Sequence, residues 1–199
     1  REGRDGICIN AKVLGMHRDG AFADYLVIPV RNLVRIPDNI SFTEAAIMTD
    51  AGATPFHAVT KRGRVRPGET VAIFGCGGLG MNAIQFCKLT GAAKIIAVDT
   101  SDAALERALR AGADVAVNAG VEKPDKKVKS ANGGYGVDVA FEFVGMNVVV
   151  DQAVKSLRRG GRAVIVGIGP EKINTIPPFS FVYNELELIG SFGSDIADL

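Results

Sequence analysis

The sequence predicts an α/β fold built on a doubly wound parallel sheet, on three observations. Short apolar or β-branched runs recur along the chain: VAIF (71–74), IIAV (95–98), DVAV (114–117), VDVAFEF (137–143), AVIV (163–166) and LELI (186–189). Segments with helical period, such as AIQFCKL and SDAALERALRAG, separate most of them. A glycine-rich turn, GCGGLG, follows the first run directly and precedes a helical segment. Strands that are apolar on both faces belong in a parallel sheet covered on both sides, and right-handed crossovers make that sheet doubly wound.

Taken in order, the first 40 residues read as strand and turn. GAFADYLVIP alternates loosely, Pro29 and Pro37 act as breakers, and no helical period precedes Ser41. Forty such residues cannot build a core alone. SFTE (41–44) has the capping-box pattern and predicts a helix start. A second helical segment is expected over Ala53–Lys61, and the turn RPGE (66–69) leads into VAIF. Helix stops are marked by residues such as Gly112. KPDKKVK (123–129) reads as a solvated helix or loop face.

Composition narrows the function classes. With 47% hydrophobic and 23% charged residues the chain is globular in type, and a formal charge of +1 with mixed signs gives no reason to expect a nucleic-acid or anionic-membrane partner. Thr70–Cys87 is uncharged, but its four glycines, Asn82 and Gln85 make it strand, turn and helix rather than a membrane span. Three irregularly spaced cysteines, Cys8, Cys76 and Cys87, argue against a disulfide framework and for a reducing compartment, so a cytoplasmic location is expected. The chain opens on REGRDG without a methionine and stops at SFGSDIADL, which suggests a piece of something longer.

The chemistry concentrates in GCGGLG. Gly75 suits a tight turn, Gly77 and Gly78 let backbone approach a pyrophosphate, and Gly80 permits close helix-on-strand packing. Amides at the helix start would face the phosphates. Asp99 ends the next strand, 19 positions beyond Gly80, where a carboxylate can accept both ribose hydroxyls of an adenosine; capping of the helix SDAALERAL is the plain alternative. Thr100, Ser101 and Asp102 follow, with no arginine to receive a 2′-phosphate, so NAD is favoured over NADP.

AAIMTDAGATPFHAV (45–59) poses a separate question, because it is small and apolar except for the carboxylate of Asp50. DGAFADYLVIP, TDAGATPFHAV, VRPGETVAIFGCGGLG, AVD, FEFVG, VIVGIG and LIGSFGS, in that order, resemble the zinc-containing alcohol dehydrogenases of the medium-chain dehydrogenase/reductase superfamily over essentially all 199 residues. The resemblance implies that residues 1–42 are a remnant of a β-rich GroES-like catalytic domain and that residues 43–199 are a Rossmann domain. It places Asp50 at the last of three ligands of a catalytic zinc, a chemically reasonable role for a carboxylate, against the alternative of a helix cap. It makes Cys8 the last of four structural-zinc cysteines and puts the remaining ligands of both sites, and the proton-relay hydroxyl, upstream of Arg1.

For the cofactor, the resemblance has Thr54 touch the nicotinamide end and Leu79 pack against its ring. Val144 and Gly145 would line the ribose side, and the backbones of Val166, Ile168, Ser191 and Gly193 would hold the carboxamide. The implied activity is hydride transfer between a small alcohol or carbonyl substrate and NAD, in a homo-oligomer (dimer or tetramer) that pairs sheets through a strand over KINTIP (172–177). Alternatives are a zinc-free quinone or enoyl reductase of the same superfamily and a non-catalytic NAD(H)-binding module. His57 reads as a packing residue or a hydrogen bonder to backbone rather than a base, and His17 as a turn residue without a role.

Overall fold

The computed structural model describes residues 4–199. Its centre is a six-stranded sheet, every pair parallel, in the order β3-β2-β1-β4-β5-β6. The strands are β1 (Thr70–Phe74), β2 (Lys94–Asp99), β3 (Val115–Asn118), β4 (Val137–Glu142), β5 (Leu157–Ile165) and β6 (Glu187–Gly190). Order reverses between β1 and β4, so their carboxyl ends flank the crevice where ligands of open α/β sheets bind.

Alternate side chains of each central strand enter opposite layers. Val71, Ile73, Ile95, Ala97, Val139 and Phe141 pack with α3 (Gly78–Leu89) and α4 (Asp102–Ala111) through Ile84, Cys87, Leu105 and Ala108. Ala72, Phe74, Ile96, Val98 and Ala140 pack on the other face with α5 (Pro124–Ala131) and α6 (Asn147–Lys155) through Val128, Ala153 and Val154. This two-faced burial is why the strands read as continuous apolar runs. Gly112 adopts φ +116° at the end of α4, as its position predicts. KPDKKVK forms the first two turns of α5, started by Pro124.

Before β1 lies one helical run: α1 (Phe42–Ile47), a wide turn over Met48–Gly52, α2 (Ala53–His57) and a second wide turn over Ala58–Arg62. Ser41 and Glu44 form the expected capping box: Ser41 Oγ accepts the Glu44 amide at 3.3 Å, and Glu44 Oε2 accepts the Ser41 amide at 2.9 Å. The Ser41 hydroxyl, which donates to Glu44 Oε2 at 2.6 Å, and after it the Ser41 amide hold the Glu44 carboxyl below its ordinary value. The run is continuous rather than two helices because the wide turns absorb Pro55, which lacks an N–H for the carbonyl of Ala51. Asn82 of α3 donates its Nδ2 to that carbonyl at 2.8 Å instead.

Two expectations need correction. GAFADYLVIP forms no strand, because no extended segment among the described residues lies beside it to accept its hydrogen bonds. KINTIP, expected to pair between subunits, is irregular within this single chain, where the Asn174 amide donates to Asn147 Oδ1. β5 begins at Leu157, six residues before the expected Ala163, because LRRGG continues the strand through a register irregularity opposite Val137 and Val139. Within β5, Arg162 pairs with Glu69 at 2.6 Å and donates to the carbonyls of Gly63 and Arg64, tying the end of the helical run to the sheet.

Candidate dinucleotide site

The glycine turn has the conformation that each position was expected to need. Gly75 sits at φ +90°, a region that residues with a Cβ avoid. At Gly80 a Cβ would collide with the Gly75 carbonyl oxygen. At Gly77 and Gly78 a Cβ would meet nothing within 4 Å, and both residues are exposed. Gly77 caps α3 without a side-chain acceptor, so the first-turn amides of Gly78, Leu79 and Gly80 face a space open to an anion. The helix starts at Gly78, three residues before the expected Met81, so two glycines of the motif lie in its first turn.

Asp99 terminates β2 against this turn. Its Oδ2 accepts the Cys76 amide at 2.7 Å, and its Oδ1 accepts the Ser101 amide at 2.9 Å. The cap of α4 is Ser101, whose hydroxyl accepts from Ala104, so the capping alternative for Asp99 does not hold. Cys76 is buried in the same turn; burial first, and the nearby Asp99 charge second, push its thiol up to about 12. Burial raises the Cys87 thiol as well, and neither is a nucleophile.

The loops after β4 and β5 form the next wall. A Cβ at Gly75 would press on the Val144 side chain at 2.8 Å, and one at Gly145 on the Ile168 backbone at 2.6 Å, so the loops after β4 and β5 touch each other through their main chains. Val166, Ile168 and Ser191 line one cleft of about 550 Å³, together with His57, Arg62 and Phe192. The Ser191 hydroxyl is buried without a partner there, an orphan that a bound polar group would satisfy. The amides of Val166 and Ser191 are already bonded to the carbonyls of Glu142 and Ile165, so from the main chain each can offer a ligand only its own carbonyl. Thr54, Leu79, Val144 and Gly193 lie outside that cleft's lining.

The zinc-binding dehydrogenase family profile matches residues 78–199, more than half of the chain. This chain belongs to the zinc-binding dehydrogenase family. An alcohol dehydrogenase of Geobacillus stearothermophilus is 39% identical over 197 residues, covering 99% of this chain and 57% of that protein. The crystal structure of the alcohol dehydrogenase from the archaeon Aeropyrum pernix superposes with TM-score 0.89 at 37% identity, over 98% of this chain and 57% of that one. A zinc-binding dehydrogenase from Sinorhizobium meliloti 1021, solved with NADP bound, superposes with TM-score 0.89 at 30% identity, over 98% of this chain and 58% of that one. The dehydrogenase chain thus spans a little over half the length of these relatives and corresponds to their NAD(P)-binding part.

In this dehydrogenase chain the residues assigned to metals stand apart. Asp50 is exposed within the first wide turn, and its Oδ1 accepts the Thr54 hydroxyl at 2.8 Å, so it does not cap the helix that follows. Cys8 is exposed. Among the described residues the one group with three potential ligand atoms in mutual reach is His57, Asp195 and Asp198, which includes neither. On these residues alone neither zinc site is complete. His57 bonds to a carboxylate rather than to backbone: its Nδ1 lies 2.7 Å from Asp198 Oδ2, which also accepts the Asp195 amide.

Two functional positions escape sequence reasoning. Asn82 donates to both Ala51 O and Gly78 O, joining the Asp50 helical run to the glycine turn. A proline four residues after the orphaned carbonyl was the available signal. Glu142, fully buried at the end of β4, accepts the Val144 and Gly145 amides on Oε1 at 2.7 Å each, while its Oε2 has no partner. Burial raises its carboxyl above the ordinary value, more than those two bonds lower it. An acid inside an otherwise apolar strand, FEFVG, was the signal.

Proposed function

We propose that the chain is the NAD-binding part of a zinc-dependent alcohol dehydrogenase that transfers hydride between an alcohol and NAD. The observation that carries this reading is Asp99, its carboxylate pinned to the glycine turn at the carboxyl end of β2. The open space over Gly77 and Gly78 and the unpartnered Ser191 hydroxyl fit a dinucleotide at both of its ends. The amides of Gly78, Leu79 and Gly80 bind the pyrophosphate, and Asp99 receives the ribose hydroxyls. Asp99 also disfavours a 2′-phosphate, which selects NAD over NADP: at about 5 Å two like charges repel by roughly 1–3 kcal/mol. Val144 and Gly145 line the nicotinamide ribose, the carbonyls of Val166 and Ser191 with the backbones of Ile168 and Gly193 hold the carboxamide, and Thr54 and Leu79 bound the ring. Bound NAD supplies the hydride acceptor, and the protein supplies alignment.

Asp50 is one ligand position of a catalytic zinc, its carboxylate oriented by Thr54, and Cys8 is one of a structural zinc; each site needs ligands beyond those described here. Residues 1–42 belong to a GroES-like catalytic domain and residues 43–199 to the Rossmann domain. In support, Ile9, Phe22, Tyr25 and Val27 stand 98%, 109%, 90% and 94% exposed, an apolar surface that calls for a covering partner. The protein self-associates through 172–177, works in the cytoplasm and acts on a small alcohol or carbonyl compound. No helix among the described residues is long and apolar enough to cross a membrane. The test is NADH formation from NAD and a panel of primary and secondary alcohols by the full-length zinc-loaded protein. Activity lost on chelation, restored by zinc and abolished by Asp50→Ala supports the reading; no turnover of any alcohol by the folded, zinc-loaded protein refutes it.

A further inference from the structure

Glu142 is where two loops of the site are held by one residue. Its main-chain oxygen accepts the amides of Val166 and Gly167 at 2.9 and 3.0 Å, and its side-chain Oε1 accepts those of Val144 and Gly145 at 2.7 Å each. Four consecutive-pair amides from the segments after β4 and β5 therefore converge on a single residue. The segments so held are packed backbone on backbone. A Cβ at Gly167 would strike the Gly145 amide and the Val144 backbone, and one at Gly169 would strike the Gly145 carbonyl.

No side chain separates the two loops, so hydrogen bonds must set their spacing. Side-chain packing cannot compensate for losing them. Glu142 itself is fully buried beneath the loops, so a bound ligand cannot touch it without their moving. On the pyrophosphate side the corresponding clamp is Asp99, through Cys76 and Ser101, and it does not involve Glu142.

We propose that Glu142 is the positioning residue for the nicotinamide half of the dinucleotide site, setting the spacing of the 144–145 and 166–168 loops through its side-chain Oε1 and leaving the adenosine half to Asp99. The inference rests on the cofactor reading above. It requires an acceptor at Oε1, not a charge. Glu142→Gln keeps that acceptor and keeps the site; Glu142→Met removes it at similar volume and frees the Val144 and Gly145 amides.

The experiment is a pair of titrations of the 199-residue chain, one with NADH and one with ADP-ribose, which lacks the nicotinamide. The unmodified chain and Glu142→Gln bind NADH more tightly than ADP-ribose. Glu142→Met loses about ten-fold in NADH affinity, the equivalent of one to two main-chain hydrogen bonds, while its ADP-ribose affinity stays within about two-fold. A merely structural role would weaken both ligands together or neither, and either result overturns the proposal. An unmodified chain that binds neither ligand removes the cofactor reading itself, and this inference with it. Should Glu142→Met show no cooperative melt, hydrogen exchange on the unmodified, ligand-free chain decides. Protection of the Val144 and Gly145 amides comparable to that of Val166 and Gly167 supports the clamp, and exchange at the rate of open loops refutes it.

Discussion

Replacing Asp99 by Asn separates the two jobs given to that carboxylate. Its two oxygens each accept one amide, Cys76 on Oδ2 at 2.7 Å and Ser101 on Oδ1 at 2.9 Å. An asparagine keeps a single oxygen and turns its NH2 toward the other amide, so one hydrogen bond to a charged acceptor is lost, a cost of about 1.5–3 kcal/mol. For a chain of this length that lowers the melting temperature by roughly 3–12 °C. The charge effect runs the other way for one ligand only. Removing a negative charge about 5 Å from a 2′-phosphate relieves roughly 1–3 kcal/mol, so the NADPH-to-NADH affinity ratio rises about 5- to 150-fold. The assay is parallel fluorescence titration of both nucleotides with wild type and variant at one ionic strength, alongside thermal melts. A ratio that moves by less than about two-fold while the variant remains folded would refute the placement of Asp99 beside the ribose.

Three further outcomes follow from the same geometry. Gly80→Ala drives a methyl group into the Gly75 carbonyl and should cost about 1–3 kcal/mol in a denaturant melt, whereas Gly78→Ala, with open space at its Cβ, should leave stability nearly unchanged and weaken NADH binding. Asn82→Leu strands the Ala51 carbonyl behind Pro55 and should cost about 1–3 kcal/mol, an unchanged midpoint showing that water reaches that carbonyl. Because Glu142 holds its proton longer in the folded chain than in the unfolded one, its contribution is fully present below pH 4.5 and is lost as pH rises toward its raised folded value. Glu142→Gln should flatten that part of the stability profile, and parallel profiles for the two proteins would contradict it.

The sheet was legible because its signals are local and redundant. VAIF, IIAV and VDVAFEF are apolar on both faces, and only a sheet covered twice explains that in strands of this length. GCGGLG was legible position by position, since a positive φ, an open approach and a close contact each demand glycine. What failed depended on partners. GAFADYLVIP has strand-like composition, but a strand exists only when something pairs with it. The wide turns around Pro55 were hidden because their compensation comes from Asn82, 27 positions further along the chain. Glu142 stands inside FEFVG, but its role is visible only once the loops after β4 and β5 lie side by side. The metal roles assigned to Asp50 and Cys8 rest on resemblance alone, and neither residue belongs to a cluster of potential ligands among the described residues.

The central claim, a working dinucleotide site in residues 43–199, is tested most directly by titrating the chain with NADH and following fluorescence, with a cooperative melt as proof of folding. The account predicts saturable binding at one NADH per chain, with NADPH weaker by about five-fold or more. A chain that melts cooperatively but shows no saturable NADH binding would mean that GCGGLG is only a tight strand-to-helix joint, and the account would be wrong at its centre.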